Sequence, residues 1–158
     1  MTENLDSHLR ESLNLVMRAR PGLRVLSQDE ASELTARVAA RFISDPSRLW
    51  WWEALREPAA GFPYQGEEGL ERLDAIVGEA ASDPLFMFIT ASNFPPWTVV
   101  AGKWDDLREL VGESSFFEFF VVSRATDWIV FDTHHNEVLV AGAHPAVARG
   151  GPGGGGQP

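Results

Sequence analysis

The six residues Asp132-Thr133-His134-His135-Asn136-Glu137 are the densest group of polar functional side chains in the chain. Aspartate, histidine and glutamate are ligand types that zinc, iron or manganese takes, so Asp132, His134, His135 and Glu137 are the candidate ligands of a metal-dependent enzyme. Adjacent histidines on a strand point to opposite faces, and only a turn could bring them together. The other two histidines, His8 and His144, fall in the first predicted helix and beyond the last predicted strand, and complete no second cluster. The same six residues also read as a polar β-turn in which Asp132 and Asn136 bond their own backbone. No nucleophile elbow, dinucleotide fingerprint or phosphate-binding loop pattern occurs, and there is no cysteine to act as nucleophile or ligand. No catalytic residue and no cofactor is therefore expected.

Two further segments could make contacts. Trp50-Trp51-Trp52 follows Asp45-Pro46, a pair that predicts the end of one helix and the start of the next. On a helix the three indoles point about 100° apart, so one core-facing stripe cannot hold them all. With Trp97 they are candidate anchors for a partner, unless the helix is sandwiched between the sheet and another helix. Glu118 interrupts Phe116-Phe117-Glu118-Phe119-Phe120, where it must reach water or meet a cation. The phenylalanines on both faces of that strand predict helices over one face and part of the other, or a partner in their place.

Charge narrows the choice of partner. The net charge is −10, yet residues 1–56 carry 8 acidic and 8 basic side chains, and the whole surplus lies downstream of Arg56. Such a surface repels phosphate backbones, which argues against nucleic acid, and attracts a basic protein across roughly a Debye length. It also serves solubility alone. Glu67, Glu68, Glu71 and Asp74 on one predicted helix, with Asp105, Asp106 and Glu109 on another, are the candidate charged contacts. The acidic N-terminus, the strand-sized apolar runs and the lack of cysteine predict a cytoplasmic protein with no membrane span.

These residues must be positioned by helices that come first and strands that come last. Leu5, Leu9, Leu13, Val16 and Met17 recur at helical spacing, and Ser27 with Glu30 forms a capping box before Leu34, Val38 and Phe42. Residues 57–66 read as a loop rich in glycine and proline, and Leu70, Leu73, Ile76 and Val77 mark a further helix. Strands follow at 85–90 and 97–101, then a short helix with Trp104, Leu107 and Leu110. The runs 116–122, 128–132 and 138–141 predict an antiparallel meander. The fold class is α+β, with N-terminal helices packed on a C-terminal antiparallel sheet of four to five strands. Residues 1–145 are expected to form one domain, and 146–158 a disordered tail rich in glycine and proline.

The stretches Phe116-Phe117-Glu118-Phe119-Phe120-Val121-Val122 and Trp128-Ile129-Val130-Phe131-Asp132-Thr133-His134-His135-Asn136 resemble small bacterial proteins and, more distantly, immunity proteins of the SUKH superfamily. That resemblance implies helices before an antiparallel sheet and a non-enzymatic protein that neutralises a toxin; no binding residue is carried over from it. The leading expectation is an immunity or inhibitor protein whose acidic part docks on a basic toxin or effector. A metal-dependent enzyme and an adaptor or chaperone for a secreted effector are the alternatives.

Overall fold

The computed structural model describes residues 5–81, 84–91, 93–113 and 117–149. Its centre is a seven-stranded antiparallel sheet in the order β1-β4-β3-β5-β6-β7-β2. The strands are β1 (Arg24–Val25), β2 (Ala60–Pro63), β3 (Leu85–Ile89), β4 (Thr98–Gly102), β5 (Phe119–Val122), β6 (Trp128–Thr133) and β7 (Glu137–Gly142). The α+β class holds, but two more strands are present than the sequence predicts, and both lie at the edges. Strand β1 is only two residues long, and β2 lies within the stretch read as a loop. An edge tolerates the Pro63 and Gly61 that argued against a strand there.

Register explains the two-sided core. Val100, Met87, Val121, Val130 and Val140 are successive cross-strand partners, and the neighbouring row is Val99, Phe88, Phe120, Phe131 and Leu139. Alternation sends the first row to one face and the second to the other. The first row packs under α1 (Ser7–Ala19), α3 (Gly69–Ala80), α4 (Trp104–Glu113) and α5 (Pro145–Ala148). The second packs under α2 (Gln28–Phe42) and the loop that follows it. The phenylalanine-rich strand is thus covered on both faces by the chain itself.

Local signals set the helix ends. The Asp6 carboxylate accepts the Leu9 N–H at 2.8 Å to cap α1. Ser27 and Glu30 close the expected capping box on α2, at 3.2 and 3.0 Å. The helix predicted after Asp45-Pro46 does not form. Asp45 instead accepts the Ser47 N–H at 3.1 Å, and a bridge between Ile43 and Leu55 ties the base of a loop. Only a single 3-10 turn, Trp51–Glu53, remains at its tip. The short helix α5 occupies residues expected to open the tail, with Ala146 buried; residues 150–158 lie outside the described residues.

His144 holds α5 down. Its Nδ1 accepts the Ala146 N–H, so Nε2 carries the proton and donates to the Ile76 carbonyl, both at 2.9 Å. Burial lowers its pKa from the ordinary 6.5, opposed by the Ile76 bond and Glu79. The neutral ring is the one that fits, so its stabilisation is complete above the unfolded value and is lost as pH falls through the lower folded value. Urea unfolding should show stability declining below about pH 6.5, with a shallower decline in His144→Asn. Gly142, at φ +92°, has no room for a Cβ against the Asp127 carbonyl and the Trp128 Cα. Gly142→Ala should lower the unfolding free energy by about 2 kcal/mol or more in the same assay.

Candidate functional site

The β6–β7 hairpin and the tryptophan loop meet at one end of the sheet, on the α2 face. Thr133 closes the hairpin by donating its hydroxyl to the Glu137 carbonyl at 2.9 Å, and Asn136 supplies the left-handed residue, φ 55°. This differs from the expected turn, in which Asp132 and Asn136 bonded their own backbone. The turn lifts His134 and His135 against the loop. The His134 ring lies edge-on to Trp50 and Trp52, with centroids 4.7 and 5.3 Å away, and His135 lies 5.4 Å from Trp52. Trp50 and Trp52 stack offset at 6.1 Å.

Beneath His134 lies Glu118, whose side chain is only 13% exposed and whose carboxylate is 4.0 Å from Nδ1. Its low exposure departs from the expectation that the carboxylate reaches water at one face of the strand. A protonated His134 would pair with it. The Trp50 Nε1–H is buried without a hydrogen bond, beside a cavity of about 20 Å³ that Glu118 and Thr90 also line.

The four candidate metal ligands do not converge. Asp132 follows Phe131 on the strand, so its side chain turns to the α3 face, where it accepts the Tyr64 hydroxyl at 2.7 Å. His134 and His135 sit in the turn on the opposite side, and Glu137 lines an open cleft with His135 and Trp52. Among the described residues no three histidine, aspartate or glutamate side chains are arranged to hold a metal ion.

The four tryptophan candidates separate as well. Trp51 and Trp97 are core residues, 3% and 2% exposed, packed edge-on to each other at 4.8 Å. They cannot anchor a partner. Trp50 and Trp52 are half-buried at the surface.

The candidate acids lie across the sheet from these indoles. Helices α3 and α4 pack side by side, and with the 3-10 turn Gly66–Glu68 they carry nine carboxylates against Arg72 and Arg108. Four of the seven candidates are engaged within the chain. Arg20 binds Asp106 at 3.2 Å and Glu109 at 2.8 Å, and Asp74 accepts the Trp104 indole N–H at 2.8 Å. Asp74 also lies 3.1 Å from Arg108 Nε, an ion pair without hydrogen-bond alignment. Glu68 caps the backbone of Gln65. Glu67, Glu71 and Asp105 are exposed and form no ion pair among the described residues. Sequence reasoning missed Tyr64, Glu53 and the burial of Glu118, since each depends on contacts between segments far apart in the chain.

Among the described residues no helix is long and apolar enough to cross a membrane. A sequence model of DUF6756, a family of unknown function, matches residues 10–148. No curated protein and no solved structure matches.

Burial raises the Asp132 pKa above the ordinary carboxylate value, and the bond donated by Tyr64 opposes that rise. A raised folded value means that Asp132 favours folding most at acid pH and disfavours it once deprotonated. The phenol therefore offsets a buried charge. Tyr64→Phe should cost about 1–2 kcal/mol at pH 7 by urea unfolding, and clearly less in an Asp132→Asn background. Equal losses in both backgrounds would mean that the hydroxyl does not serve the carboxylate.

Proposed function

The chain belongs to the DUF6756 family, and we propose that it is a non-enzymatic binding protein of the immunity or inhibitor type that offers its α3–α4 surface to a basic partner protein. The observation that supports this reading is the concentration of nine carboxylates against two arginines on α3, α4 and the Gly66–Glu68 turn of one layer. Such a surface speeds encounter with a cationic cleft and discourages acidic partners. Glu67, Glu71 and Asp105 are the free charges that a partner meets first. Asp74, Asp106 and Glu109, held by Arg20, Arg108 and Trp104, shape the surface more than they attract. Trp50 and Trp52, across the sheet, are not part of this contact.

The compartment in this reading is the reducing cytoplasm, in keeping with a chain without cysteine. An adaptor or chaperone would bind a basic client equally well but leave the client active. The metal-dependent alternative is dropped, because its ligands do not meet.

The partner to test is the product of any toxin-like gene beside this one. Raising sodium chloride from about 50 to about 300 mM should slow association about tenfold or more. Glu67→Lys/Glu71→Lys/Asp105→Lys should slow it comparably at low salt, and the wild-type protein should suppress the toxin's activity. An association rate indifferent to both salt and the triple change would sink the proposal; fast, salt-sensitive binding to a toxin that stays active would favour the adaptor.

A further inference from the structure

On the α2 face, Trp52, His135 and Glu137 wall an open cleft of about 550 Å³, with Leu55, Ala59 and Leu139 giving it an apolar lining. Glu53 stands at the same cleft and shares its carboxylate with Arg48 at 3.0 Å. Glu137 is half-buried, and among the described residues no cation pairs with it. A carboxylate withdrawn from water in this way lowers its energy by meeting a cation, and of the two carboxylates that line the cleft only Glu53 has an arginine partner among the described residues.

We propose that this cleft is a binding site for the side chain of an arginine on a partner protein. The guanidinium group has the matching chemistry on every wall. It donates paired N–H groups to the Glu137 carboxylate, and it stacks on or approaches the Trp52 indole through a cation–π contact. Its three methylenes lie along Leu55, Ala59 and Leu139. His135, packed edge-on to Trp52, fixes the indole from the hairpin side. The offset stack on Trp50 and the edge contact from His134, neither of which lines the cleft, also hold Trp52, so the wall is formed before any ligand arrives. The site lies on the opposite face of the sheet from α3 and α4 and stands whether or not the acidic surface binds a partner.

The probe is N-acetyl-arginine methylamide, titrated into the full chain while the indole N–H resonances are followed by nitrogen-15 NMR, with Trp52 assigned through Trp52→Phe. The Trp52 resonance should shift saturably, with millimolar affinity. The corresponding citrulline derivative, of the same shape without the charge, should bind about tenfold more weakly or not at all. Glu137→Gln should weaken the arginine probe about tenfold. The citrulline comparison uses the wild-type protein, so it decides the matter even if Glu137→Gln folds poorly, and Glu53→Gln gives a second variant at the same cleft. No saturable shift, or equal binding of the arginine and citrulline probes, would overturn the proposal. Undiminished affinity in a folded Glu137→Gln would overturn it as well.

Discussion

Burial of the central sheet on both faces is the constraint on which the rest of this structure depends. An antiparallel sheet can leave one face to water, but here Met87, Val121, Val130 and Val140 face one helical layer while Phe88, Phe120, Phe131 and Leu139 face the other. A slip of one residue would exchange the two rows and present the rings to the wrong layer. Phe88 stacks on Phe120 at 4.6 Å, and Phe120 meets Phe131 at 5.1 Å. These rings fill the space beneath Trp51, which is stacked on Phe120 at 6.0 Å. One tryptophan of the triplet is thereby drawn into the core and its two neighbours are left on the flank.

That arrangement also divides the polar residues into two sets that do not communicate by contact. The carboxylates of α3 and α4 lie outside the aliphatic row, partly neutralised by Arg20 and Arg108. His134, His135, Trp50, Trp52, Glu118 and Glu137 lie outside the aromatic row. A hairpin of seemingly mixed chemistry is split because Asp132 still obeys strand alternation, whereas His134 and His135 have already left the strand. Tyr64 claims the one and the tryptophan loop claims the others. The cleft thus combines an aromatic wall, an apolar lining and two carboxylates, of which Glu53 is held by Arg48.

Most of the elements were legible because they are encoded by neighbours in the chain. The apolar spacing of α1, the capping box of α2 and the meander β5–β6–β7 are each written in one continuous stretch of chain. The misreadings share a cause. Strand β2 resembles a loop until β7 offers it an edge, and Asp45-Pro46 resembles a helix start until the Ile43–Leu55 bridge pulls the loop closed. The candidate site was legible as residue types only. Four side chains of metal-ligand type within six residues say nothing of the direction in which each leaves the backbone.

The amino-acid order alone determined the α+β class, the positions of most helices and strands, the absence of any thiol chemistry and the placement of the acidic surplus after Arg56. These follow from local periodicity, capping and composition. Tertiary structure alone decided that both sheet faces are covered, that Trp51 and Trp97 are core while Trp50 and Trp52 are not, and that the acids and the indoles occupy opposite sides. Such outcomes depend on cross-strand register and on competition between distant segments for the same buried volume, and no window of neighbouring residues contains that information.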